Sequence, residues 1–100
     1  MSLQTDLDAA RRVFILRLLA RIGAETPADV IYVALEHGGF ARDRRSTYAV
    51  DLAFLADEEC IALDNDDAIM VTLTDRGRMA AEGRIAVSGV EQSRWRLAPG

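Results

Sequence analysis

Apolar residues recur along this chain with two different periods. From about residue 6 to residue 22, "DLDAARRVFILRLLARI" presents apolar side chains in every turn, and Gly23 follows as a stop. On a 100° wheel the second half of this helix is apolar almost all round. Arg17 and Arg21 mark one wet stripe, with Leu7 and Phe14 beside it. A helix apolar on most sides is sheltered on most sides. In a chain this small, that predicts a second copy packed over Leu7, Phe14 and Leu18, and so a homodimer formed through the first helix and the C-terminal region.

A second helix is predicted at about 28–37, with Thr26 as its cap, Pro27 at its entry and Asp29 at its positive end. Ile31, Ala34 and Leu35 share one face, and Gly38-Gly39 ends the run. A third helix is predicted at about 46–58, capped by Asp43 or Ser46. Tyr48, Leu52, Leu55 and Ala56 form its core stripe, while Ala49 and Ala53 permit close approach. The opposite arc is then Thr47, Val50, Asp51, Phe54 and Glu58.

The period then changes to two. Ile61 and Leu63, then Ile69, Val71 and Leu73, alternate with smaller or polar residues around "NDD", predicting a β-hairpin at about 61–74. Its turn lacks glycine, which favours a loop longer than two residues. Thr74 caps a short helix at about 75–82, closed by Gly83. The tail, 84–100, holds Val90 and Trp95 without a clear period. The expected fold is mainly α with a small β-hairpin, in a single domain spanning 1–100.

Composition narrows the class. Half of the 100 residues are apolar, enough for one core. The longest apolar stretch is broken by Arg17 and Arg21 and is too short to span a bilayer. The N-terminus has no signal-peptide pattern, and one cysteine cannot form an internal disulfide, so the expected location is cytoplasmic. No repeat or low-complexity segment is present. All twelve basic residues are arginine. Residues 1–50 carry a net +1 and residues 51–100 a net −5, so any phosphate contact must come from the first half.

The stretch "FARDRRSTYAV" (40–50) concentrates that basic character, with Arg42, Arg44 and Arg45 within four positions. Catalytic chemistry has no comparable concentration. His37 and Cys60 are single residues, there is no Gly-rich phosphate loop, and "DNDD" lacks the glycine and distal glutamate of a calcium loop. No enzyme, cofactor or metal is expected.

The segments "YAVDLAFLADEECIAL" and "VTLTDRG" resemble the recognition-helix end and strand exit of winged helix-turn-helix regulators of the ArsR and MarR type. "RRVFILRLLA" and "TLTDRGRMAAEGRIAVSGVE" are similar to a family of small ArsR-like proteins of Mu-like prophages. The resemblance implies a winged helix whose third helix enters the major groove. Two departures stand out. Glu59 occupies a position where many winged helices have glycine, and the ligand sets of the metal sensors are missing.

Two functions follow as expectations. The first is a DNA-binding, transcriptional-regulator-like protein of phage origin, contacting double-stranded DNA through the backbone with Arg42, Arg44, Arg45 and Thr47. The second is a non-catalytic module that seats a phage or host protein on Val50, Asp51, Phe54 and Glu58, without DNA binding of its own. On this wheel the outward arc is acidic, as is the hairpin tip with Asp64, Asp66 and Asp67, and both would repel phosphates. A third possibility is that Val90 and Trp95 fold back over Val50 and Phe54 and complete the monomer.

Overall fold

The structure, a computed structural model, describes residues 3–92. Trp95 and the rest of the tail beyond 92 lie outside the described residues. The described residues form four helices and a small three-stranded antiparallel sheet: α1 (Leu3–Ile22), β1 (Thr26–Pro27), α2 (Ala28–Leu35), α3 (Arg45–Asp57), β2 (Ile61–Asn65), β3 (Ile69–Leu73) and α4 (Asp75–Ala81). The sheet order is β1-β3-β2. Among the described residues no helix is long and apolar enough to cross a membrane.

Helix α1 runs through the middle of the core. Val13, Ile15, Leu16 and Leu19 are buried, and α2, α3, β3 and α4 all pack on it. The shelter that the sequence assigns to a second subunit therefore comes, at Phe14 and Leu18, from the same chain. Phe14 meets the Phe40 ring edge-on at a centroid distance of 5.5 Å. It also fills the space in front of Gly38, where a Cβ would come within 2.6 Å of the ring. Leu18 packs half-buried against the core. Leu7 remains 41% exposed, one turn from Leu3.

Strand β1 is an addition that periodicity does not announce, since two residues ending in proline show no alternation. Thr26 pairs with Val71 and Pro27 with Met70. Thr26, expected as the cap of α2, is instead buried in the sheet with its hydroxyl donating to the Ala24 carbonyl at 2.9 Å, and Pro27, expected at the first helical position, stands one place earlier as the N-cap. After α2 the chain widens into one π-type turn, Glu36–Phe40, in which Gly39 takes φ 100°.

Strands β2 and β3 pair from Ile61↔Leu73 to Asn65↔Ile69, leaving Asp66-Asp67-Ala68 as a three-residue loop. The hairpin enters the core at Ile61 and at Val71. Both are buried, whereas Ile69 is exposed, as is Leu63, which sits opposite Val71 but on the edge strand.

The "LTDRG" segment has a clear mechanical role. Thr74 accepts the Gly77 N–H at 3.0 Å, capping α4, and its hydroxyl donates to the Glu59 carbonyl at 2.6 Å. Arg76 Nε donates to the Glu58 carbonyl at 2.8 Å. At Gly77 the start of α4 presses on the α3–β2 junction so closely that a Cβ would lie 2.0 Å from the Cys60 carbonyl oxygen. That junction is a Schellman cap. Cys60 N–H reaches the Leu55 carbonyl at 2.9 Å and Glu59 N–H the Ala56 carbonyl at 3.0 Å. Glu59 sits in the left-handed region at φ 62°, where α4's equivalent cap uses Gly83 at φ 77°.

Candidate nucleic-acid interface

The arginines of "FARDRRSTYAV" gather at one end of α3. Arg44 stands at the N-cap position in extended backbone, and Arg45 is the first helical residue. Neither Asp43 nor Ser46 caps the helix, and no side-chain cap bond is present. Arg42, Arg44 and Arg45 are all exposed, while Thr47 is half-buried. Arg45 forks toward Glu36, with Nε and Nη2 each 3.3 Å from a carboxylate oxygen, and lies 5.8 Å from the Tyr32 ring centroid. An exposed pair of this kind is weak and exchanges readily for another anion.

Asp43, between Arg42 and Arg44 in sequence, pairs with Arg11 of α1, whose side chain is only 1% exposed. Arg11 Nη1 donates to Asp43 Oδ2 at 3.0 Å, and Nη2 to Asp8 Oδ1 at 2.6 Å. The same guanidinium holds both oxygens of Asp51: Nε donates to Oδ2, and Nη2 to Oδ1 at 3.1 Å. Arg12 adds a further bond to Asp51 Oδ1 at 3.0 Å. Its Nη1 reaches the Gly89 carbonyl at 3.1 Å, and its guanidinium lies 3.9 Å over the Phe54 ring. Two arginines and three carboxylates thus lock α1, the turn before α3, α3 itself and the segment near Gly89 together.

The electrostatics follow from this geometry. Burial disfavours a charged Arg11, yet the hydrogen bonds it donates to Asp51 and Asp8 and the charges of Asp51 and Asp43 hold its pKa above the ordinary value. Burial likewise opposes ionisation of Asp8. Hydrogen bonds from Arg11 and Gln4, with the charges of Arg11 and Arg12, outweigh it and keep that carboxyl below its usual range. Such a cluster is tolerable in a core only when fully hydrogen-bonded. Among the described residues, no buried side-chain nitrogen or oxygen lacks a partner.

Asp51 therefore corrects the expected outward arc of α3. It is fully buried, and the exposed arc is Arg45, Ser46, Ala49, Val50, Ala53 and Asp57, rotated about one residue's turn from the expected one. Ala49 and Ala53, expected at a close helix contact, face solvent. Phe54 is half-buried beneath Arg12 and against Gly89, where a Cβ would meet the ring at 2.6 Å. Glu58 is half-buried and lies 3.6 Å from Arg76. Of the four residues expected to form a partner surface, Val50 is the one standing open, at 62% exposure.

The segment near Gly89 does fold back. Val87 and Val90 are buried, and Glu91 N–H bonds the Ala9 carbonyl at 3.1 Å. The signal for the lock is present in the sequence: Arg11 lies on the Ile15–Leu19 line of α1 and Asp51 on the Tyr48–Leu55 line of α3. Opposite charges at core phase on two helices mark a buried pair.

The hairpin tip keeps Asp64, Asp66 and Asp67 exposed. Among the described residues, no group of three or more His, Cys, Asp or Glu side chains is placed to hold a metal ion. Comparison with protein-family models, with curated proteins and with solved structures finds no match to this chain.

Proposed function

We propose that this chain is a winged helix-turn-helix DNA-binding domain of the regulator type. In this reading α3 is the groove helix, and Arg42, Arg44 and Arg45, with Thr47 beside them, contact the phosphate backbone. The order of elements supports the fold, with β1 between the first two helices and β2–β3 forming the wing. The observation that carries the function is the burial of Asp51. With its charge spent on Arg11 and Arg12, the exposed face of α3 between Arg45 and Asp57 is uncharged, and its arginines cluster at the helix end that is itself positive.

Phosphates meet no repulsion along that face until Asp57. The wing is different. Asp64, Asp66 and Asp67 repel a duplex, so the helix and its preceding turn make the contact while the hairpin stands off. The protein-contact reading loses Asp51 and Phe54, which the chain engages internally.

Amide chemical shifts recorded during titration with a short mixed-sequence duplex at low salt test this assignment. Shifts concentrated in residues 42–53 are expected. Shifts confined to the hairpin, or none, would overturn it.

A further inference from the structure

The exposed arc of α3 that would enter a groove has an unusual chemistry for a reading surface. From Ser46 to Ala53 it offers one hydroxyl and three apolar side chains, Ala49, Val50 and Ala53. No Arg, Lys, Asn or Gln lies among them to grip guanine or adenine by a bidentate bond. Val50 is the large apolar residue of the group, and Ala49 and Ala53 flank it on the same arc, opposite buried Tyr48 and Leu55. The span from Ser46 to Ala53 is about 10 Å along the helix axis, which covers roughly three base-pair steps.

In the major groove the base feature that matches a methyl-bearing, donor-free surface is the thymine C5-methyl group. Resting on the DNA-binding reading above, we propose that Val50, Ala49 and Ala53 read thymine methyl groups, so that the preferred duplex carries thymines beneath α3. Ser46 is the polar exception, able to donate to or accept from a neighbouring base edge. The arginines at the helix start then fix depth and register through phosphates, and the methyl contacts supply the preference.

The test compares four duplexes of one length by fluorescence anisotropy at a single low salt concentration. They are a thymine-rich duplex, the same duplex with deoxyuridine for every thymidine, and a G·C-rich duplex with and without 5-methylcytosine. Removing thymine methyls should weaken binding about fourfold for each methyl buried, and methylating cytosines should strengthen it. Val50→Ala, at an exposed position, should shrink the thymine-to-uracil ratio while leaving the salt dependence unchanged.

Equal affinity for the thymine and uracil duplexes would overturn the methyl reading while leaving DNA binding standing. A preference for A·T content that ignores the methyl group would do the same, since it would mark readout of groove shape. No binding to any duplex would overturn the DNA-binding reading and this inference with it.

Discussion

Asp51 of α3 lies fully buried against the Arg11 guanidinium of α1, which holds both of its carboxylate oxygens. This pair, forty positions apart in sequence, determines which face of α3 meets solvent. Removing one partner strands a buried charge. Arg11→Met leaves Asp51 with Arg12 as its remaining cation and should cost about 3 kcal/mol or more of unfolding free energy. Arg11→Met combined with Asp51→Leu should cost clearly less than the sum of the two single changes. Urea unfolding of the four proteins measures both, and additive losses would show that the two side chains act independently.

Acid should loosen the same cluster. The Asp8 carboxyl is held below its ordinary pKa in the folded chain, so the unfolded chain binds more protons at low pH. The stability it supplies is complete above the ordinary carboxylate pKa and is lost as pH falls through the depressed folded value. Stability should therefore be flat from neutral pH to about pH 5 and decline below about pH 4. Asp8→Asn should make that decline shallower. Denaturant midpoints measured across pH give the comparison.

The junction between α3 and β2 yields a pair of opposite effects. At Glu59, φ 62° places a side chain where glycine is at ease. Glu59→Gly should stabilise by about 0.5–1 kcal/mol, the left-handed cost removed less the added freedom of the unfolded chain. Gly77→Ala pushes a Cβ into the Cys60 carbonyl and should destabilise by about 1–3 kcal/mol. Thermal unfolding separates the two by sign.

The exposed carboxylates of the hairpin give a further test. Replacing Asp64, Asp66 and Asp67 by Asn should tighten duplex binding severalfold at low salt, with the gain fading as salt screens the tip. Unchanged affinity would mean that a bound duplex lies well beyond the reach of the hairpin.

Much of the scaffold is legible in the residues themselves. The alternation of Ile61, Leu63, Ile69, Val71 and Leu73 marks the hairpin, and Thr74 before "DRG" marks the start of α4, because period and capping are local. Strand β1 is not legible, since its two residues become a strand only by pairing with Val71 and Met70. The face of α3 is not legible from its own residues and emerges only when α1 is read beside it. An aspartate reads as surface, and Ala49 and Ala53 suit either side of a helix. Only Arg11, far back in the chain, decides that Asp51 goes in and the alanines come out.

The proposal stands most directly on the salt dependence of duplex binding, compared between the chain and its Arg42/Arg44/Arg45→Ala variant. Each phosphate contact contributes about 0.9 to the slope of log affinity against log salt. Measurable binding at low salt and a slope about 2–3 shallower in the variant are expected. Equal slopes, or no binding by the unaltered chain, would contradict the proposal.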